Sequence, residues 1–391
     1  VVEVRESSGS RRAAIAWAAL ALILAFAGQF LTVHFNYGGN WTGLFCTGSH
    51  FPVPPELSGE HIYIFSNSAG YDGQFYHYIA HDPFFQRGFA SYIDAPRLRY
   101  RRILVPFLAW LLSGGGGRYL HAAYIGVNLA FVFLGSYWLG RCFQLRGMHP
   151  AWGLAFLGIP GVLISLDRMV VDGPLTALAA GFIWHTLAGP PAALLAVLVA
   201  APLVRETGVL LTAAAVLAAL AERRWRRAIL YGATALPALA WFAFVQSHTT
   251  PAGGGPPLLT WPFVGLYQRI FTPSAYRLPV HISLLAATLD WVAIAGVLLT
   301  VALTLRLVTR RRNALAAAVA LYAILLTTLR VHFWLDAYSY TRLISPLFVL
   351  LLAPDWGLPL RWPVAAIGLM LPRVVLQLGW QALGIVRRLV G

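Results

Sequence analysis

The apolar residues of this chain fall into blocks long enough to cross a bilayer. A transmembrane helix needs about 20 mostly apolar residues, and residues 13–33 meet that requirement without a charge. Arg11 and Arg12 precede this block, and Ala25-Phe26-Ala27 within it imitates a signal-peptide cleavage site. The apolar run continues past that site, so the block reads as a retained first helix. Residues 34–100 are polar, aromatic and proline-bearing, and cannot cross. Residues 101–112 are apolar after two arginines but too short to span, which predicts a segment that lies at the interface or re-enters. Further spans are expected near 118–140, 151–166, 171–188, 190–203, 208–221, 227–246, 283–305, 314–330, 342–354 and 363–385. Several are short and carry Pro or Gly, which is tolerated where the backbone is buried in protein or lines a cavity. The count comes to about ten or eleven membrane segments. The expected fold is all-α: one polytopic transmembrane domain over 1–391, with long loops at 34–112 and 247–282.

Composition agrees with that reading. Of 391 residues, 59% are hydrophobic and only 11% charged, less than half the roughly 25% usual in soluble proteins. Mean hydropathy is +0.68. The 29 basic residues outnumber the 14 acidic ones, giving a net charge of +15, and every basic residue is Arg. In a polytopic chain such an excess reads as orientation rather than nucleic-acid binding. Placing Arg5, Arg11 and Arg12, the cluster Arg223, Arg224, Arg226 and Arg227, and the cluster Arg306, Arg310, Arg311 and Arg312 in the cytoplasm satisfies the positive-inside rule. The other face then receives both long loops, Asp167–Asp172, Arg205-Glu206 and residues 331–341. Cys46 and Cys142 are the only cysteines, too few for a disulfide framework or a four-thiolate metal site. No internal repeat is visible, and Gly114–Gly117 lacks the Gly-Lys-Ser/Thr that would make it a phosphate loop.

The densest chemistry lies in Tyr71-Asp72-Gly73-Gln74-Phe75-Tyr76-His77-Tyr78, followed by His81-Asp82-Pro83. One reading is an interfacial amphipathic helix with its aromatics at headgroup level. The other makes Asp72 a general base, its pKa raised by apolar surroundings. His77 and His81 share a helical face beside Asp82, a spacing that suits a divalent metal, but hydrogen-bonded histidines are the expectation and no metal is called. Arg97, Arg99, Arg101 and Arg102 stand on the outer side against the positive-inside tendency. They either recognise an anionic headgroup, since the guanidinium fork matches phosphate oxygens, or pair with Asp82, Asp94 and lipid phosphates. Arg205-Glu206-Thr207-Gly208 interrupts an apolar run, which predicts a hairpin tip aimed at a phosphate. His332, Trp334, Asp336 and Arg342 add polar groups on the same face. Asp290 reads as a helix-start residue.

Three of these strings, Tyr71-Asp72-Gly73-Gln74-Phe75-Tyr76, Tyr100-Arg101-Arg102-Ile103-Leu104-Val105-Pro106 and Arg205-Glu206-Thr207-Gly208, carry a resemblance. With the first helix and long outer loop, the chain resembles GT-C membrane glycosyltransferases, near the polyprenyl-phosphate-mannose-dependent (GT87-like) branch and related bacterial multi-span proteins. The resemblance implies a multi-pass protein of the bacterial plasma (inner) membrane with a cytoplasmic N-terminus and an extracytoplasmic active face. It implies Asp72 as catalytic base, a polyprenyl-phosphate sugar donor within the membrane lipid, and a glycan, lipid or protein acceptor. The paired acidic motif of the class is missing, so no metal cofactor is expected. Because the leaving group is a phosphate, positive charge is needed on its oxygens, for which Arg101, Arg102, Arg205 and Arg342 are the candidates. Tyr71, Gln74, Tyr76, His77, Glu206, His332, Trp334 and Asp336 are the candidate substrate-binding residues. The rival functions are a transporter or flippase for a lipid-linked or anionic solute, and a non-catalytic scaffold subunit of GT-C-like fold.

Overall fold

The computed structural model describes residues 8–250, 259–272, 276 and 279–390. Arg5 and parts of the 247–282 loop therefore lie outside the described residues. The chain is nearly all helical. Its helices are α1 (Ser8–Asn36), α2 (Asp72–His81), α3 (Pro96–Arg99), α4 (Leu104–Leu112), α5 (Leu120–Gln144), α6 (Pro160–Arg168), α7 (Asp172–Leu187), α8 (Pro191–Val204) and α9 (Val209–Ala221). They continue as α10 (Trp225–Ala233), α11 (Leu236–His248), α12 (Val264–Phe271), α13 (Val280–Val308), α14 (Ala314–Thr327), α15 (Val331–Trp334), α16 (Ala337–Leu343), α17 (Ser345–Leu351) and α18 (Arg361–Val390). Thr47–Gly48 and Ile64–Phe65 pair as a short parallel ladder inside the first loop.

Among the described residues, five stretches are long and apolar enough to cross a membrane: Gly9–Asn36, Leu120–Gln144, Trp225–His248, Val280–Val308 and Arg361–Leu389. A sixth arises if Pro150–Gly158 and α6, bent by 62° at their junction, count as one span. This is fewer than the ten or eleven segments expected from apolar content. Pro191–Val204, Glu206–Ala221 and Ala314–Thr327 are apolar but shorter. At 1.5 Å per residue a helix of 14 residues reaches only about 21 Å, short of the ~30 Å hydrocarbon core. The expected span at 171–188 is α7, whose residues from Asp172 to Trp184 are all buried. A helix enclosed by protein looks as apolar in sequence as one enclosed by lipid, so composition does not separate the two.

α7 and the wholly buried α17 occupy the centre. α5 packs against α1, α4 and α7, while α13 lies along α18 and α14 against α9 and α17. The outer faces of α1, α10, α11, α13 and α18 expose Ile23, Phe30, Ile229, Leu239, Leu284 and Trp380 among many large apolar side chains. Water-soluble monomers rarely expose contiguous apolar surface on that scale, whereas a multi-pass membrane protein buries it in lipid.

Two local features depart from the sequence reading. α2 is not an interfacial amphipathic helix, because every residue from Gly73 to His81 is buried. Its aromatics Phe75, Tyr76 and Tyr78 are core packing rather than a headgroup belt, enclosed by α4, α5 and the first loop. α4 is the short segment expected after Arg101, and it packs on α2 and α5. Asp290 does not start a helix; it lies inside α13. There Arg269 Nη2 of α12 reaches it at 2.6 Å and Arg373 Nε of α18 at 2.8 Å, and the Tyr276 hydroxyl also donates to it.

The position of α2 depends on close approach. Gly70 adopts φ +69°, and a Cβ there would crowd Gln74 Nε2 at 2.8 Å. A Cβ on Gly73 would run into the Arg168 carbonyl at the end of α6 and lie 2.9 Å from the Phe45 carbonyl. Neither partner is a flexible side-chain end, so Gly73→Ala must push α2 away from α6. We expect this substitution to destabilise the protein by about 1–3 kcal/mol, seen as a lower melting temperature in detergent. An unchanged melt would show that α2 is free to shift.

Candidate functional site

Helix ends and breaks bring together charges that are far apart in sequence. Asp72 is the first residue of α2, preceded by extended Tyr71, so its carboxylate sits at the positive end of the helix. Arg99 closes α3, which opens on Pro96. Asp172 is the first residue of α7. Arg205 is extended at φ −157° and ψ 141°, and it separates α8 from the 3-10 turn Glu206–Gly208 that leads into α9. Gly208 makes that turn possible, because a Cβ would strike the Ala201 carbonyl. Arg342 comes from α16.

These groups form one chain of alternating charge. Arg99 grips Asp94 with two bonds, Nε to Oδ1 at 3.0 Å and Nη2 to Oδ2 at 2.9 Å. Its Nη1 reaches Asp72 Oδ2 at 2.8 Å, and Arg342 Nη2 meets the same oxygen at 2.8 Å. Arg342 Nη1 lies 3.8 Å from Asp172 Oδ2, and Asp172 Oδ1 accepts from Arg205 Nη1. Arg205 Nε stands 3.9 Å from Glu206 Oε1. Arg102 clasps Glu206 through Nε at 2.8 Å and Nη2 at 2.6 Å, and its Nη1 donates to the Tyr76 hydroxyl at 2.7 Å. Arg99, Arg342, Arg205 and Arg102 thus neutralise Asp94, Asp72, Asp172 and Glu206.

The middle of the chain is well enclosed, with the Arg205 and Asp172 side chains only 4% and 2% exposed, while Asp94 and Glu206 are more open. Not every polar atom is matched. Arg342 Nε and Nη1 and Arg205 Nε are buried without a hydrogen bond of ordinary geometry among the described residues, as are Asp72 Oδ2 and Asp172 Oδ2. A buried donor left unmade costs about 1–3 kcal/mol, so three together at one point call for an explanation.

Asp72 is not the raised-pKa base expected from its apolar neighbours. Burial is the largest single influence and pushes its pKa up, but the Arg342 and Arg99 guanidiniums together outweigh it. They hold the carboxyl well below the ordinary carboxylate range, and Asp72 rests as an anion.

The other residues singled out from sequence divide. Tyr71 joins the site, with the Arg342 guanidinium 4.9 Å over its ring. Arg101 does not, because its guanidinium lies over the Phe242 ring at 5.4 Å. Gln74 is buried and holds the loop, accepting from Gly48 N at 3.1 Å and donating to the Ala69 carbonyl at 2.8 Å. Trp334 is buried, donating Nε1–H to the Leu329 carbonyl and stacking on Tyr340. Asp336 caps α16 by accepting from Tyr338 N at 3.1 Å and Ser339 Oγ at 2.9 Å. His332 packs against Phe333. None of these last four makes one of the described hydrogen bonds or ion pairs with the charge chain; helix caps and loop anchors use the same residue types as binding sites.

A second polar centre lies at the far end of α2. His77 Nε2 is 3.2 Å from His81 Nε2 and 2.8 Å from His121 Nε2 of α5. Glu60 Oε2 approaches all three nitrogens, at 3.6 Å from His77, 3.3 Å from His81 and 2.9 Å from His121. Burial pushes His77 down to about 3, so its imidazole is neutral at physiological pH, while its Nδ1 is buried without a partner. Asp82 is not part of this group. As the residue that ends α2 it turns away and accepts from Gln86 N, Arg87 N and Phe89 N. Glu60 and His121 stand in the place that sequence spacing had offered to Asp82. His121 is 44 positions from His77, a separation that no local pattern reveals. Arg99 and Asp172 were likewise missed as site residues, the first within an arginine run and the second within a helix start.

An apolar groove of about 370 Å³ lies between α1, α6 and α18, lined by Leu24, Leu31, Leu163, Leu378 and Ile385, with Asp167 also in its lining. Asp167 precedes Arg168, whose carbonyl packs close to Gly73 of α2.

Asp172→Asn removes the counter-charge of buried Arg205. We expect a loss of about 3–5 kcal/mol in stability, with Asp172→Asn plus Arg205→Met recovering part of it. Chemical unfolding in detergent measures both, and a neutral single variant would mean that Arg205 is not held by this pair. No known protein family, no curated protein and no solved structure matches this chain.

Proposed function

We propose that the chain is a membrane glycosyltransferase that moves a sugar from a polyprenyl-phosphate donor to an acceptor hydroxyl on the extracytoplasmic face, with inversion. The observation that carries this reading is the set of unused guanidinium donors next to a carboxylate. Arg342 Nε and Nη1 and Arg205 Nε lack acceptors, and Arg342 also holds Asp72. A phosphate ester supplies the missing acceptor oxygens in the bidentate geometry that guanidiniums favour. The groove between α1, α6 and α18 suits a polyprenyl chain, being mostly apolar with Asp167 in its lining.

The reaction follows from the charges. Both close guanidinium contacts to Asp72 fall on Oδ2, which leaves Oδ1 as the oxygen to take a proton. Asp72 accepts the proton of the acceptor hydroxyl, and that oxygen attacks the anomeric carbon. The bond from the anomeric carbon to the phosphate oxygen breaks on the opposite face, and its electron pair stays on the phosphate. Arg342 and Arg205, backed by Arg102 through Glu206, stabilise the charge that develops there. In the resting state Asp72 is too firmly paired to be an effective base. An incoming phosphate competes for the same guanidiniums, loosens their hold and raises the Asp72 pKa toward the range where proton transfer is efficient. Donor binding thus readies the base.

Transfer of a radiolabelled sugar from polyprenyl-phosphate donors by the purified protein tests the reading. Asp72→Asn is expected to slow transfer by about 10²–10⁴-fold, and Arg342→Gln by about 10²–10³-fold. Equal rates for wild type and Asp72→Asn would remove Asp72 as the base, and no transfer from any donor would favour the scaffold reading. The pH dependence makes a second prediction. kcat/KM reports the free enzyme and kcat the complex. The acid limb of kcat/KM should lie below the ordinary carboxylate range, since Arg342 and Arg99 depress Asp72, and the acid limb of kcat should lie at higher pH. Coincident limbs near neutrality would assign the proton transfer to another group.

A further inference from the structure

We propose that Glu60, His77, His81 and His121 form a site for one divalent transition-metal ion of the Zn²⁺ type, which clamps the first loop and α2 onto α5. The inference does not rest on the transferase reading. It starts from the chemistry of the donor set, three imidazole nitrogens and one carboxylate oxygen whose atoms all lie within 4.8 Å of one another. Imidazole with carboxylate is a ligand set that zinc accepts in four-coordinate, tetrahedral geometry.

The separations fit that geometry. With metal–ligand bonds of about 2.0–2.1 Å, the corners of a tetrahedron stand ~3.3 Å apart. The five closest pairs here measure 2.8, 2.9, 3.2, 3.3 and 3.6 Å. The cluster is thus the size of a coordination shell. Hydrogen bonds alone serve it poorly. Each neutral ring has a single N–H to give, and three Nε2 atoms crowd one another as well as the carboxylate. Glu60 Oε2 accepts no hydrogen bond of ordinary geometry despite lying 2.9 Å from His121 Nε2. One cation at the centre satisfies all four groups.

The surroundings orient the ligands. His77 and His81 are four apart on buried α2, so their rings share a face. Phe45 stacks on His77 at 4.4 Å, with 22° between the ring planes, and its ring is 5.9 Å from that of His121. His121 also lines a cavity of about 500 Å³ together with Phe26, Trp41, Arg118 and Ile125, so one member of the set stands at an opening. Once bound, the ion ties together three segments that are separate in sequence and fixes the far end of the helix that begins at Asp72.

The test uses full-length protein purified without a polyhistidine tag. After incubation with Zn²⁺ and removal of excess by gel filtration, mass spectrometry of the metal content should find about one equivalent per chain. Glu60→Gln and His121→Gln should lose it. Chelator should lower the melting temperature of wild type, Zn²⁺ should restore it, and neither treatment should move the two variants. Co²⁺ added to metal-free wild type should develop the visible bands of a tetrahedral complex. Wild type that retains no zinc, retains as much as the variants, or shows no tetrahedral Co²⁺ spectrum overturns the proposal. The Co²⁺ measurement needs no variant, so it decides the matter even if a substituted chain fails to fold.

Discussion

Taking a guanidinium or a carboxylate out of water into a helical bundle costs several kcal/mol per ion unless an opposite charge and good hydrogen bonds meet it. That constraint governs how this protein is arranged around Asp72. The chain from Asp94 to Arg102 meets it by alternation, so that Arg99, Arg342 and Arg205 each stand between two carboxylates. The arrangement also explains where its members sit. Charges cannot occupy a lipid-facing helix interior, and here they gather at the start of α2, the start of α7, the break between α8 and α9, and the short α16. Irregular backbone and buried charge solve each other's problem, because a helix end leaves peptide groups that want polar company.

The same economy appears on a smaller scale at Asp290, Arg269, Arg373 and Tyr276, which bind α12, α13 and α18 into one unit. In both places the unit of stability is a network rather than a pair. The difference lies in saturation. Asp290 receives donors on both of its oxygens, whereas Arg342 and Arg205 keep donors in reserve. A network that is complete holds helices together, and one with donors to spare can also take an anion.

Much of this was legible in the sequence, and the failures share a cause. The apolar blocks reveal helices, and an Arg-Glu pair inside one of them reveals a break, because local composition carries both signals. Asp72, Arg102, Arg205, Glu206 and Arg342 do meet, since charges that interrupt apolar stretches have few other partners. Burial is not local, however. Nothing in Asp72–His81 says that the helix is enclosed on every side rather than lying at an interface. At α7 the same limit applies, since composition does not tell enclosure by protein from enclosure by lipid. Trp334, Asp336 and Gln74 show the converse limit, being residues with binding chemistry that hold backbone instead. Glu60 and His121 carry no signal near His77 at all, and only the packing of the first loop against α5 brings them together.

The long-range closure of the charge chain has a consequence for synthesis. The chain is made from the N-terminus onward, and its ion pairs become available in a set order. Arg99 follows Asp72 and Asp94 closely, and Arg205 follows Asp172 after 33 residues. Arg102 must wait 104 residues for Glu206. Arg342 comes last of all, so Asp72 and Asp172 each remain one partner short until most of the polypeptide has been inserted. An unfinished copy therefore carries under-neutralised charge at its centre until Arg342 of α16 supplies the last partner.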